Sequence, residues 1–197
     1  MKQNLLFYVF LSLLLFVCLR IFYESDAFQL KCVIATKDGN KYCVRDRNKI
    51  EAAVELIATV TDKCTKIVAY MKAKHPNNDS VKRLVKGFNP RSISETLPTS
   101  EQSAYNENKG EKLAFSLNKY KIGEELIDIN TLTFVAYHEL AHIMNIQQGH
   151  QASYWQHFKF ILQNAKAANL HKPVDYKKYP VEYGGMTIHD NPYFDLT

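Results

Sequence analysis

The chain has 197 residues, of which 46% are hydrophobic and 23% charged, and its formal net charge is +5. This length and composition are ordinary for one globular domain with its own core, and no repeat or low-complexity segment indicates a fibrous or disordered protein. The basic residues are scattered and no nucleic-acid-binding motif accompanies them, so no specific nucleic-acid partner is inferred.

An apolar stretch at residues 5–23, interrupted only by Arg20, is close to the ~20 residues that span a bilayer. It is longer than the apolar part of a usual signal peptide and lacks a clean small-x-small cleavage site. We therefore predict a single-pass membrane anchor at 1–23, in a virion or host membrane, followed by one domain at 24–197. The alternative is a signal peptide cleaved after Ala27, which gives a secreted protein. The flanking charges leave the membrane orientation open.

Two β-rich segments, 32–36 and 41–44, flank an Asp-Gly-Asn turn and predict a hairpin. Cys32 and Cys43 could face each other across it, but the spacing does not establish a disulfide. Three cysteines outside the apolar stretch are an odd number, which favours neither a full disulfide framework nor a cysteine zinc site.

A long apolar stripe at helical spacing predicts a scaffold helix over 48–75 with Asn48 as its N-cap. A shorter helix is predicted over 80–87. Residues 88–102 contain two prolines and predict a loop.

Strands are predicted at 104–106 and 112–117 around an Asn-Lys-Gly turn. An extended substrate could pair with such a strand, although an ordinary hairpin is the favoured interpretation. A polar link over 119–128 follows, and Asp128 or Asn130 can cap the next helix.

That next helix carries a short motif that suits zinc, inside an apolar run at 131–146: His138-Glu139-Leu140-Ala141-His142. Residues four apart share one face of an α-helix, so His138 and His142 can bind one metal ion. Glu139, turned by about 100°, can reach a water bound to that metal. A surface pair or satisfied core histidines are the alternative. Buried histidine and glutamate, however, need compensating partners, and a metal provides them.

A third metal ligand is expected downstream, and we favour His150. Gly149 permits a left-handed backbone, which suits a turn back toward the metal, and a new helix follows with Tyr154 at helical spacing. The rival is His157, which flanks the apolar stripe of that helix and is better explained by packing.

These residues resemble the SprT/WLM group of zinc metallopeptidases, and more closely the WLM-like metallopeptidases encoded by large DNA viruses. The matching segments are the active-site helix, the third histidine, an aromatic pair and a preceding N-K-G-E-K segment: 137–142, 149–150, 154–155 and 108–112. A later Y-C-G-x-x-I segment is matched imperfectly by 183–188, because Gly184 stands at the cysteine position. The resemblance implies a peptidase-type zinc site.

The tail after Leu170 has prolines, paired glycines and tyrosines, and predicts an irregular segment that wraps the domain. We expect Tyr183 to pack, although it could instead donate a hydrogen bond to an oxyanion in the cleft. His189 is a fallback ligand.

Together these features predict an α+β fold: a zincin-like minimal metallopeptidase domain behind one transmembrane helix. His138, His142 and His150 are expected to hold Zn²⁺, and Glu139 to act as general base on a metal-activated water, with a protein or peptide as substrate. One alternative is a membrane-anchored structural or interaction protein, such as a virion component, with a non-catalytic zinc site. Another is a hydrolase of a different amide, such as a cell-wall peptide. The oligomeric state stays open.

Overall fold

The computed structural model describes residues 2–23 and 29–195. The N-terminal helix α1 (Lys2–Tyr23) contains the apolar segment Leu5–Tyr23, which has a mean hydropathy of 2.6 and is not buried inside the structure. Its length and composition suffice to cross a membrane, and a signal sequence near the N-terminus has the same properties. The predicted boundary at residue 24 and the alternative cleavage site after Ala27 lie outside the described residues.

The predicted N-terminal hairpin is confirmed over its described residues. Strands β1 (Leu30–Ile34) and β2 (Lys41–Arg45) are antiparallel, with Cys32 opposite Cys43. The two cysteines form a disulfide, which the spacing alone did not establish. The Asp38 carboxylate accepts hydrogen bonds from the Asn40 backbone and the Tyr42 hydroxyl, which holds the connecting turn.

The long scaffold helix α2 (Ile50–Lys74) buries its apolar stripe in the core. The prediction of Asn48 as its N-cap is wrong. The helix begins at Ile50, Lys49 holds the cap position without a side-chain hydrogen bond, and the Asn48 amide instead donates to Glu124 at 3.2 Å. The shorter helix α3 (Asp79–Gly87) is confirmed, and Asn78 caps it.

A three-stranded sheet precedes the motif helix. Its central strand β5 (Lys112–Phe115) pairs in parallel with β3 (Ile93–Glu95) and antiparallel with β4 (Ala104–Glu107), so β4 lies at one edge. Strand β3 occupies the segment predicted to be a loop. Sequence pattern misses it because the strand is three residues long and includes a buried charge: Glu95, which pairs with Arg47.

The motif helix α4 (Ile129–Met144) packs against α2 and against α5 (Ala152–Ala167). It starts and ends two residues earlier than the predicted apolar run at 131–146. Asp128 caps its start, and Ile146 lies beyond its end and is 74% exposed. The tail is more regular than predicted. Strands β6 (Val181–Tyr183) and β7 (Met186–Ile188) form a hairpin, and both glycines of its turn have positive φ.

Candidate metal centre

Helix α4 is fixed at its start and along its buried face, which determines where its histidines point. The Asp128 carboxylate accepts hydrogen bonds from the backbone N–H groups of Asn130 and Thr131, at 3.0 and 2.9 Å, as a helix N-cap does. Of the two predicted caps, Asp128 is therefore the one used. Leu132 and Leu140 are fully buried, so the helix cannot rotate about its axis without exposing apolar surface.

Three histidines converge at the end of α4. The ring centroids of His138, His142 and His150 are 4.9 to 5.1 Å apart, which makes the three rings a nearly equilateral triangle. One ring nitrogen from each lies within 4.8 Å of the others, and the Nε2 atoms of His138 and His150 are 3.0 Å apart. Nitrogen ligands of a tetrahedral zinc ion lie about 3.3 Å apart, so this arrangement has the size of a metal site.

Helix α5 supports the three rings through Tyr154. Its ring stacks on His142 at a centroid distance of 4.4 Å and also contacts His138 and His150. The Tyr154 hydroxyl donates to the His138 carbonyl at 3.3 Å, and the side chain is fully buried. Sequence analysis placed Tyr154 on an apolar stripe but missed this support. The aromatic pair at 154–155, which follows the third histidine, was the sequence feature from which this contact could have been predicted.

The histidines have the protonation state that a metal requires. Burial, with the neighbouring imidazoles, lowers the pKa of His138 to about 3, and burial, His150 and Lys109 lower that of His142 to about 4. Burial also lowers the pKa of His150. All three imidazoles are therefore neutral at pH 7, and neutral imidazole nitrogen is a preferred ligand of Zn²⁺. The donor set fits zinc.

Glu139 is a buried carboxyl beside this triangle, with 5% of its surface exposed. Burial raises its pKa to about 8, and no basic group in the described chain contributes to lowering it. A buried carboxyl in this state lacks a compensating positive charge, which a metal cation would provide. Glu139 lines the cleft together with all three histidines.

The loop that carries His150 is held by a lysine that sequence analysis did not assign. The Lys109 ammonium donates to the backbone carbonyls of His142, Asn145 and Gln147, at 3.0, 2.8 and 3.2 Å. It thus joins the last turn of α4 to the loop that leads to His150. Lys109 belongs to the N-K-G-E-K segment that carries the family resemblance. Its partners, however, lie more than 30 residues away, so sequence spacing does not predict these hydrogen bonds.

The edge strand β4 also contacts the motif helix. The Asn106 amide donates to the Glu139 carbonyl at 3.0 Å, and its oxygen accepts the Gly110 N–H at 2.8 Å. The strand and the histidines enclose an open, polar cleft of about 480 Å³. A cleft of this volume, between a sheet edge and a donor cluster, is large enough for a drug-sized ligand.

The other predicted candidates lie outside the cluster. His157 approaches the Ser80 hydroxyl at 3.4 Å, and His189 is exposed and contacts the Thr187 carbonyl. Tyr183 is buried, and its hydroxyl donates to the Ser103 carbonyl at 3.1 Å, which agrees with the favoured expectation that it packs. Gly149 has φ +81°, so the left-handed backbone predicted before His150 is present.

No protein-family model matches the chain. Among curated proteins it is similar to the uncharacterized protein R325 of Acanthamoeba polyphaga mimivirus, with 25% identity over 172 residues and 85% of each chain covered. Among solved structures it is similar to Wss1 from S. pombe, with 21% identity, a TM-score of 0.44, and 64% of this chain and 91% of that chain covered. These similarities do not assign the chain to a family, so its function has to be inferred from the site.

Proposed function

We propose that the protein is a membrane-anchored, zinc-dependent peptidase. The observation that carries the proposal is the convergence of three neutral imidazole nitrogens beside a buried carboxyl, at the floor of an open cleft. In a catalytic zinc site three protein ligands leave one position open, and a carboxylate serves as the base. The SprT/WLM resemblance expected from the sequence agrees with this function.

Each residue of the site has a defined role. His138, His142 and His150 would hold the metal, which when bound polarises a carbonyl and makes water more acidic. A bound cation would favour the ionised form of Glu139, which could then take the proton of the attacking water and pass it to the leaving amine. Strand β4, at the edge of its sheet and along the cleft, offers backbone groups for pairing with an extended substrate.

A structural zinc site is the second candidate, within a membrane-anchored structural or interaction protein. A closed structural site uses four protein ligands. Within the described residues the cluster offers three, and the two spare histidines considered, His157 and His189, are not among them. The open cleft beside the cluster favours the peptidase.

The N-terminal helix and the disulfide together suggest where the domain works. We infer that α1 anchors the protein and that the domain lies in an oxidising compartment, because disulfides such as Cys32–Cys43 rarely persist in the cytosol. The similarity to a mimivirus protein agrees with a viral origin. In sealed endoplasmic-reticulum vesicles, whose lumen is oxidising, a membrane-impermeant protease added outside should leave the domain intact, and digestion of the domain would contradict this orientation.

The test of the function is Glu139→Gln, which removes the proton acceptor but leaves the three imidazoles. We expect the variant to retain zinc and to lose about 10²–10⁴-fold in peptide-bond cleavage, measured by mass spectrometry on an unfolded protein substrate. The matched control is Glu51→Gln, on an exposed carboxyl in the first turn of α2, which should cleave as the wild type does. Undiminished cleavage by Glu139→Gln would contradict the mechanism.

A further inference from the structure

A second, larger cavity adjoins the histidine triangle, and Lys109, which lines the polar cleft, does not line it. Its volume is about 760 Å³, and it is mainly apolar. His138, Glu139 and His150 line both this cavity and the polar cleft, so the two spaces meet at the proposed metal position.

Three elements build the apolar walls. Helix α4 contributes Phe134 and Val135, one turn before His138. Helix α5 and the β6–β7 hairpin contribute four further large apolar side chains: Trp155, Phe158, Met186 and Ile188. Helix positions 134 and 138 share one face, so the same face that presents the ligand also presents the pocket wall.

Apart from Glu139, which lies where this cavity meets the polar cleft, the acidic and lysine side chains that line it lie at its rim. Glu101, Lys121 and Asp190 line it but are exposed to solvent, whereas Phe134, Val135 and Phe158 are buried. Against the aromatic walls, away from Glu139, a charged substrate group would lose its hydration without gaining a charged partner, whereas an apolar group gains by leaving water.

We propose that this cavity binds a large apolar side chain, such as Leu or Phe, on the substrate residue that adjoins the scissile bond. The proposal rests on the proposed peptidase function, because the shared residues His138, Glu139 and His150 place the cavity directly beside the bond to be cleaved. The polar cleft on the other side accepts the backbone and polar residues of the same peptide. Two cavities of opposite character thus fix the position of the substrate.

Met186 is the residue that best tests this subsite. It is 54% exposed on the β6–β7 hairpin, so a polar replacement there does not disturb the core. Met186→Glu places a negative charge on the apolar wall. This variant should weaken binding of peptides that place Leu or Phe in the cavity and strengthen binding of peptides that place Lys there. Ile34→Glu is the matched control, because Ile34 is a similarly exposed aliphatic residue on β1, away from the cavity.

The experiment measures binding separately from turnover. The full chain in lipid nanodiscs, loaded with zinc and carrying Glu139→Gln, is titrated with labelled short peptides that differ only in having Leu, Phe, Asp or Lys at one position. We expect Leu and Phe to bind at least about tenfold more tightly than Asp or Lys, and Met186→Glu to reduce their preference over Lys while Asp still binds weakly. Equal affinities for Leu and Asp peptides would overturn the proposal. If wild-type protein cleaves none of the peptides while the binding preference holds, the peptidase function fails and the apolar subsite stands.

Discussion

His171 is a buried histidine whose protonation should destabilise the fold. Its ring lies against Phe134 and Tyr137, at centroid distances of 6.3 and 5.9 Å, and only 6% of the residue is exposed. Neither ring nitrogen has a hydrogen-bond partner among the described residues. Burial first, and the charge of Lys63 second, lower its pKa to about 4 from the ordinary 6.5, against a smaller opposing effect of Asp128.

The sign of the effect follows from proton binding in the two states. Between pH 6.5 and pH 4 the unfolded chain is protonated at His171 and the folded chain is not, so acid favours unfolding. The stability that the neutral ring provides is complete above pH 6.5 and is lost as the pH falls toward 4. At about 1.4 kcal/mol for each pKa unit, the full loss is about 3.5 kcal/mol, of which about 2.5 kcal/mol appears by pH 4.5.

Replacement of His171 by Leu should remove this part of the pH dependence. Urea unfolding is followed by the fluorescence of Trp155, the single tryptophan, at pH 7.5 and 4.5. We expect the wild type to lose about 2.5 kcal/mol more than His171→Leu over this range. The ligand histidines are present in both proteins, so their contribution cancels. The exposed residue His189 gives the control His189→Leu. Parallel stability curves for wild type and His171→Leu would refute the reasoning.

Two further substitutions test the surroundings of the site. Gly184→Ala should cost about 2–4 kcal/mol in thermal unfolding, because φ is +57° and the added Cβ would lie 2.6 Å from that of Ser103. Ser103→Gly should restore part of the loss, and its failure to do so would exclude the clash as the cause. Lys109→Met should weaken zinc binding by about tenfold, because the loop that leads to His150 loses its anchor. Chelator competition measures this, and an unchanged affinity, equal to that of Lys121→Met, would contradict the anchoring role.

Much of the candidate site could be predicted because its information is local. The spacing of His138 and His142 within an apolar helix places both on one face, and Gly149 before His150 gives the turn that brings the third ring back. Helices α2 and α5 could also be predicted from local information, because their apolar residues recur at helical spacing.

The parts that could not be predicted depend on contacts between distant residues. Strand β3 has the charged residue Glu95 at a buried position, so it lacks the alternating apolar pattern that predicts a strand. Arg47, distant in the sequence, compensates this charge. Lys109 reaches carbonyls more than 30 residues away, and the Cys32–Cys43 bond needed the register of the hairpin. The apolar cavity is formed by three elements that the sequence does not place side by side.

The central claim is that three histidines hold a catalytic zinc ion, and metal coordination tests it most directly. Elemental analysis and X-ray absorption are measured on the full chain after purification. The account predicts one zinc per chain with three imidazole nitrogens, from His138, His142 and His150, and one oxygen from water. Zinc with four protein ligands would make the site structural, and folded protein that binds no zinc would contradict the account.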